Sequence, residues 1–508
     1  YEKNVSYFVF PYDWRLNLDN TRDLLKQKID EVKGQAGKVN IIAHSMGGLL
    51  VKDYLNQYGK ESVDKLIFVG TPHLGAPKAG KILLEGDRFG IPWLEEDRIQ
   101  EIAENSPSLH QLLPNQTYFN EFQGYLKKFS LFGDNLLMNY TETKDYFLNE
   151  RNKNPLMFDI ADNFYSQNLH NFNLAGIDTY NITGCKSATQ AAYNFSAIND
   201  EIGQVGYTSG DGTVPLVSAD YVNIPNANKF YVKDGNHAEL PSTNGVRELI
   251  LGILNDNTND LENNVSTSTN FCNFKGKKLT WHSPVEIHIY DLQGNHTGPI
   301  ADNGIEYGIP NIDYDVMGHN KFMFLPTDNG ETYRIEAIGP EKGNFDLNIS
   351  EVENEQYLNT YIFNDVPITL SATTTLIVND NPNDSITVEN QGQTSEVSAD
   401  AVLVGDEAFD LVPPSTQIQL SGKEYKDGEF KKEVDVSFTS TDDKSGILGT
   451  WYSLDGQHFI KYTETFRLGE EGVYTVYYYS ADRAGNNEKT KEAQIIIGKL
   501  SKYLRKLE

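Results

Sequence analysis

Cysteine is almost missing from this 508-residue chain: Cys185 and Cys272 are the two it has, and they stand far apart. Two residues at that distance make neither a disulfide framework nor a thiolate metal site. They are read as free thiols, with a single bridge as the alternative. No run of 18 apolar residues occurs, so no helix is expected to span a membrane. Positive charge is scarce as well, because 43 Lys and Arg face 72 Asp and Glu for a net charge of −29. Long-range repulsion at that charge excludes nucleic acid and anionic membrane patches as primary partners. An initiator methionine and an export signal are also missing. The chain opens at "YEKNVSYFVF", inside a strand-like run, which reads as the loss of an amino terminus together with any signal.

What is present suffices for folded cores. Apolar residues make up 39% of the chain, and its length suggests roughly three domains. Residues 1–257 alternate between two periodicities. "VSYFVF" (5–10), "KVNIIA" (38–43) and "KLIFVG" (65–70) are strand-like. "TRDLLKQKIDEV" places Leu24, Leu25, Ile29 and Val32 at helical spacing after an Asn20/Thr21 cap, and "GLLVKDYLNQY" supplies another helix. Such alternation predicts a parallel sheet with crossover helices. An aromatic- and Asn-rich insertion over 85–175 interrupts it. "DTYNITGC" (178–185) and "KFYV" (229–232) then resume the strands, and "GVRELILGIL" (245–254) closes with a helix. Residues 258–267 lie in a polar linker. Beyond it, 268–410 read as a β-rich module, 411–498 as an Ig-like β-sandwich and 499–508 as a tail.

The chemistry concentrates in "A-H-S-M-G", where Ser45 sits on a strand-to-helix turn. This is the form of a nucleophile elbow, in which the positions two before and two after the serine, Ala43 and Gly47, must be small. A serine hydroxyl needs a base, and the base needs an orienting carboxylate. In an α/β-hydrolase the order along the chain is Ser, Asp or Glu, His. Among His44, His73, His110, His170 and His237, that order leaves His237, in "VKDGNHAELPS". For the acid, Asp211 stands between two glycines in "SGDGTVPLVS", with Asp220 and Asp234 as competitors. His44 is read as a packing neighbour and His73 as a loop residue. Asp13 and Arg15 of "PYDWR" read as an ion pair beside a packed Trp14.

These stretches resemble the lecithin:cholesterol acyltransferase-like α/β-hydrolases. "PYDWR" (11–15), "AHSMGG" (43–48), "GTPHLGAPKA" (70–79), "SPSLHQLLPN" (106–115), "GDGTVPLVS" (210–218) and the histidine loop follow in that family's order, over about residues 4–250. The resemblance implies acyl transfer from a lipid ester, to water or to an alcohol, through a serine acyl-enzyme and without a cofactor or metal. It assigns Ser45, Asp211 and His237 to the triad, in agreement with the order above. It also makes the Met46 amide one oxyanion donor. The second comes, in that family, from a loop ahead of the "YDWR" strand, which this chain is expected to lack. The fold implied is an α/β-hydrolase with a cap or lid over 85–175, short of its amino-terminal strands and followed by two all-β, sandwich-like domains. Phe89, Ile91, Trp93 and Leu94, set among charges, are the lid candidates for transient contact with a lipid surface.

"YYYSADRAGNNE" resembles the end of bacterial Ig-like extracellular repeats, which implies a secreted or cell-surface protein using its β modules as spacers or for attachment to a surface or polymer. The acidic turns "DNPND" and "STDDKSG" read as solvated rather than as Ca²⁺ sites. The activity expected is that of a lipid-ester acyl hydrolase or O-acyltransferase. Two alternatives stand beside it: a plain carboxylesterase or triacylglycerol lipase without transferase activity, and a surface adhesin built on an inactive hydrolase scaffold.

Overall fold

A computed structural model describes residues 2–498 apart from 35–36, 89–93, 123–124, 129–135, 196–200, 234, 283–284, 302–303, 340–341, 371, 384, 391, 411 and 427–428. The first part runs α1 (Leu18–Val32), β1 (Val39–His44), α2 (Met46–Tyr58), β2 (Val63–Val69) and α3 (Pro77–Glu85). The 85–175 stretch follows with α4 (Glu96–Glu104), α5 (Pro107–Gln111), α6 (Gln116–Glu121), β3 (Leu126–Lys128), β4 (Leu136–Met138), α7 (Tyr140–Asp145) and α8 (Pro155–Ser166). Then come β5 (Asp178–Cys185), β6 (Ser187–Phe195), β7 (Ile202–Gly210), α9 (Leu216–Ala219), β8 (Lys229–Lys233), α10 (Val246–Leu254) and β9 (Val265–Ser266).

The central sheet has the order β1-β2-β5-β8-β9, parallel except for β9. Its inner strand β2 shows why the layers form. Leu66 and Phe68 face a core with Leu25 and Ile29 of α1 and Leu49 and Tyr54 of α2. Ile67 and Val69 face the opposite core, with Leu249 and Ile253 of α10. A strand buried on both sides needs helices on both faces, and the alternating sequence provides them.

Three local expectations fail, each for a physical reason. "VSYFVF" is not a strand: Val5, Tyr7 and Val9 are 66%, 50% and 50% exposed, and no described strand pairs with the run. Apolar alternation cannot make a strand without a partner. Helix α1 begins at Leu18 rather than after Asn20/Thr21, because the Asn17 side chain accepts the Asp19 amide and caps the helix three residues earlier. The cysteines are not free thiols. Cys185 at the end of β5 and Cys272, just beyond β9, form a disulfide with Cα atoms 5.3 Å apart, brought together by the pairing of β5 with β8 and of β8 with β9.

Strands β4-β3-β6-β7 form a second sheet. The β6–β7 hairpin carries Ala, Ser, Thr and Gly rather than a strand-like apolar pattern, so the sequence reading passed over it. Residues 275–404 contribute two antiparallel sheets, of six and seven strands, around a core that includes Leu279, Trp281, Ile335 and Leu347. Strand Asn320–Pro326 belongs to two cores at once. Met323 and Leu325 face that interior, whereas Phe322 and Phe324 join Tyr125, Tyr193 and Tyr207 of the first part. The β-rich region is therefore packed onto the α/β part through a shared core. Residues 415–497 link into one hydrogen-bonded sheet path instead of two separate sheets. The long strand Glu429–Thr441 pairs with Ser415–Lys426, with Phe466–Leu468 and, near its start, with Lys491–Ile497.

Candidate active site

Ser45 joins β1 to α2 at φ 54° and ψ −131°. L-residues avoid that backbone conformation, which costs about 1–3 kcal/mol and is held by its surroundings. Here the Ser45 amide donates to the Val69 carbonyl at 2.9 Å. The tightest packing behind the turn falls on Gly48 rather than Gly47. A Cβ at Gly48 would lie 2.1 Å from Thr71 Oγ1, whereas one at Gly47 would meet nothing nearer than Tyr12 Oη at 4.0 Å. Small size is thus demanded three residues after the serine, and the motif spacing put it one position too early. Ala43, before the turn, is buried.

Asp211 follows β7 and His237 follows β8, and the two loops meet at the carboxyl ends of the parallel strands. Ser45 Oγ donates to His237 Nε2 at 2.8 Å, and His237 Nδ1 donates to Asp211 Oδ2 at 2.7 Å. The other carboxylate oxygen of Asp211 accepts the amides of Thr213 and Val214 at 3.1 and 2.8 Å. Asp211 is 1% exposed, and two glycines make room for it. A Cβ at Gly184 would come 2.7 Å from Asp211 Cβ, and one at Gly70, itself at φ +57°, would come 3.1 Å from Asp211 Oδ2. The row can pass the serine proton to Nε2 while Asp211 fixes the imidazole tautomer.

His44 turns away from the serine hydroxyl, as its neighbouring position suggests. Its Nε2 donates to the His237 carbonyl at 2.9 Å and its ring stacks obliquely on that of His237. Burial, and next the nearby His237, pull its pKa below the usual imidazole value, which keeps it a neutral donor. Met46 opens α2, so its amide points out of the positive end of the helix.

The remaining sequence candidates lie elsewhere. His73 is bound to Asn181 and His110 to the Ser106 carbonyl, both buried. Asp220 accepts from Tyr231 Oη and pairs with Lys229. Asp13 and Arg15 pair at 2.7 Å, but Trp14 is 53% exposed and is not the packed indole expected there. Leu94 is half-buried just ahead of α4. Asp234, Phe89, Ile91 and Trp93 fall outside the described residues.

The sequence reading missed one whole wall. A cavity of about 300 Å³ opens beside the row, with Asp211 and His237 on one side and Tyr307, Asn311, Asp313 and Asp315 of the β-rich region on the other. This wall is held from the α/β side. Tyr207 Oη and Gln190 Nε2 donate to Asp313 at 2.7 and 2.8 Å, and Lys81 of α3 pairs with Asp315 at 3.1 Å. The partners are 106 to 234 residues apart, so no local spacing could reveal them.

Residues 1–177 match the family described as Lecithin:cholesterol acyltransferase. The chain is 26% identical over 298 residues to phospholipase A(1) LCAT3 of Arabidopsis thaliana, covering 49% of this chain and 66% of that protein. It is 26% identical over 234 residues to the phosphatidylcholine-sterol acyltransferase of Mus musculus, covering 43% and 51%. Against the lysosomal phospholipase A and acyltransferase of Bos taurus it is 25% identical over 232 residues, covering 43% and 54%. The chain thus spans between half and just under two thirds of these relatives. Among solved structures, the Bacillus licheniformis lipase BlEst2 in its propeptide form aligns with 95% of this chain and 84% of its own, at 11% identity and a TM-score of 0.27. The phospholipase PlaB of Legionella pneumophila aligns with 71% and 82%, at 13% identity and a TM-score of 0.27. Both superpositions are loose.

Proposed function

We propose that this protein is a serine acyl hydrolase of lipid esters, with Ser45 as nucleophile, His237 as general base and then acid, and Asp211 as its orienting carboxylate. The observation that carries the reading is the row of bonds at 2.8 and 2.7 Å behind a serine held at φ 54°. The match of residues 1–177 to the acyltransferase family supports it. Ser45 Oγ attacks the ester carbonyl as its proton passes to Nε2, and the Met46 amide meets the charge that develops on the carbonyl oxygen. Collapse breaks the carbonyl–alkoxy bond, and the leaving alcohol takes the proton from His237. Water, or a second alcohol, then attacks the acyl-serine with the proton steps reversed. Relatives named as acyltransferases favour an alcohol acceptor alongside water.

The Cys185–Cys272 bond supports an exported protein, because such bonds persist in oxidising compartments. Among the described residues no helix is long and apolar enough to cross a membrane. Phe89, Ile91, Trp93 and Leu94 remain the proposed lid residues. The test is hydrolysis of a short-chain nitrophenyl ester by the wild type and by Ser45→Ala. Full turnover in the variant would end this reading.

A further inference from the structure

The cavity beside His237 is closed on its far side by a region that the acyltransferase match does not reach, and its lining is selective. An acyl chain does not suit it, because the walls are dominated by polar side chains. A free ion does not suit it either, since the charged groups on its walls already have partners. Lys78 and Lys81, one turn apart on α3, meet Asp87 at 3.7 and 3.6 Å, and Lys81 also meets Asp315 at 3.1 Å. Asp211 is committed to His237, and Asp313 takes its hydrogen bonds from the neutral donors Gln190 and Tyr207. The other polar groups on the walls are hydroxyls and amides, from Ser187, Thr213, Asn236, Tyr307 and Asn311. They offer donors and acceptors together, without net charge. Tyr307, 53% exposed, adds an aromatic face. Asn311 also borders a second cavity of about 310 Å³, whose lining includes the ion-paired Lys186 and Asp328.

We infer that this cavity is a subsite for an uncharged polyhydroxylated group, of the sugar or sugar-alcohol kind, and that residues 307–315 make the β-rich region part of the active site. The inference rests on the serine hydrolase reading. A polyol there can have two sources. As the headgroup of the ester it is the leaving alcohol: the bond from carbonyl carbon to polyol oxygen breaks, and that oxygen takes the proton from His237 Nε2. As the acceptor, its hydroxyl attacks the acyl-serine. His237 takes the hydroxyl proton and returns it to Ser45 Oγ as the serine ester breaks and the new ester forms.

Binding can be read without turnover. Methyl glucoside added to full-length Ser45→Ala should give saturation-transfer signals in NMR, and these should vanish in Ser45→Ala/Tyr307→Ala and fall in Ser45→Ala/Asn311→Gly. Two kinetic arms separate the sources. Octanoyl glucose should be cleaved with a kcat/KM at least about tenfold above that of hexyl octanoate if the polyol is the headgroup. Tyr307→Ala should collapse that ratio towards one, while Tyr307→Phe keeps most of it. If the polyol is the acceptor, hexyl octanoate turned over in excess methyl glucoside should yield octanoyl methyl glucoside. A ratio near one, no glucoside ester and no saturation transfer would together overturn the subsite. Failure of both esters to react, with no fluorophosphonate adduct, would instead remove the hydrolase reading and leave the NMR result to decide whether a polyol binds.

Discussion

Two buried polar constellations border the same cavity, and they are built in opposite ways. Ser45, His237 and Asp211 are presented by strand ends and a strained turn, each within hydrogen-bonding reach of the next. Lys81, Asp315, Asp313, Gln190 and Tyr207 join an α-helix and two strands of one part to a strand of another. The first set has an outlet, because the serine hydroxyl is half-exposed and its proton has somewhere to go. In the second set both aspartates are held by donors from the other part, which suits a clamp rather than a proton relay. Burial makes both expensive to disturb, but the first should fail in rate and the second in stability.

That contrast breaks most visibly in turnover. Ser45→Ala and His237→Ala should each lower kcat by about 10⁵–10⁶, since such groups act as a unit, with thermal melting unchanged. Asp211→Asn should lose about 10⁴, while Asp220→Asn, bound to Tyr231 instead, should keep near-normal turnover. Equal losses for the two aspartates would undo the assignment of the acid. On the clamp side, Lys81→Met removes a buried cation from Asp315 and Asp87. Chemical denaturation should report a loss of about 3–5 kcal/mol. Arg15→Ala, at an exposed pair, should leave the unfolding curve where it was.

The glycines behind Ser45 sharpen the comparison within the first constellation. Gly48→Ala should cost about 1–3 kcal/mol by overlap with Thr71, whereas Gly47→Ala should be tolerated. Comparable melting temperatures for the two would show that the turn packs differently. The smallest effect expected is in pH dependence. Burial, with Asp315 adding to it, pushes the pKa of Asp313 up to about 6. A carboxyl group that holds its proton more tightly when folded disfavours folding once ionised, so stability should fall as pH rises from about 4 to 6 and level off above. Asp313→Asn should flatten that slope, read by urea unfolding at fixed pH values.

The sequence was most legible where the proposed chemistry and local geometry coincide. The small residues around Ser45 follow from a turn only a few residues long, and His237 and Asp211 from an order imposed by sheet topology. Apolar alternation located β1, β2, β5 and β8, because helices cover both faces of that sheet. It misled at residues 5–10, where no described strand lies alongside, and passed over β6 and β7, which gain their place by sharing a core with Tyr125 and Phe324. The disulfide and the far wall of the cavity were out of reach for one shared reason. Cys185 meets Cys272 across 87 residues and Lys81 meets Asp315 across 234, and nothing in either local stretch encodes its partner.

The central claim is that Ser45 is the activated nucleophile. Intact-mass analysis after incubation with a fluorophosphonate, followed by peptide mapping, tests it without any assumption about substrate. The account predicts one covalent adduct per chain, located on Ser45, and at least about a thousandfold slower labelling in His237→Ala because the hydroxyl then lacks its base. An adduct on another residue, or labelling of Ser45 at an undiminished rate without His237, would contradict it.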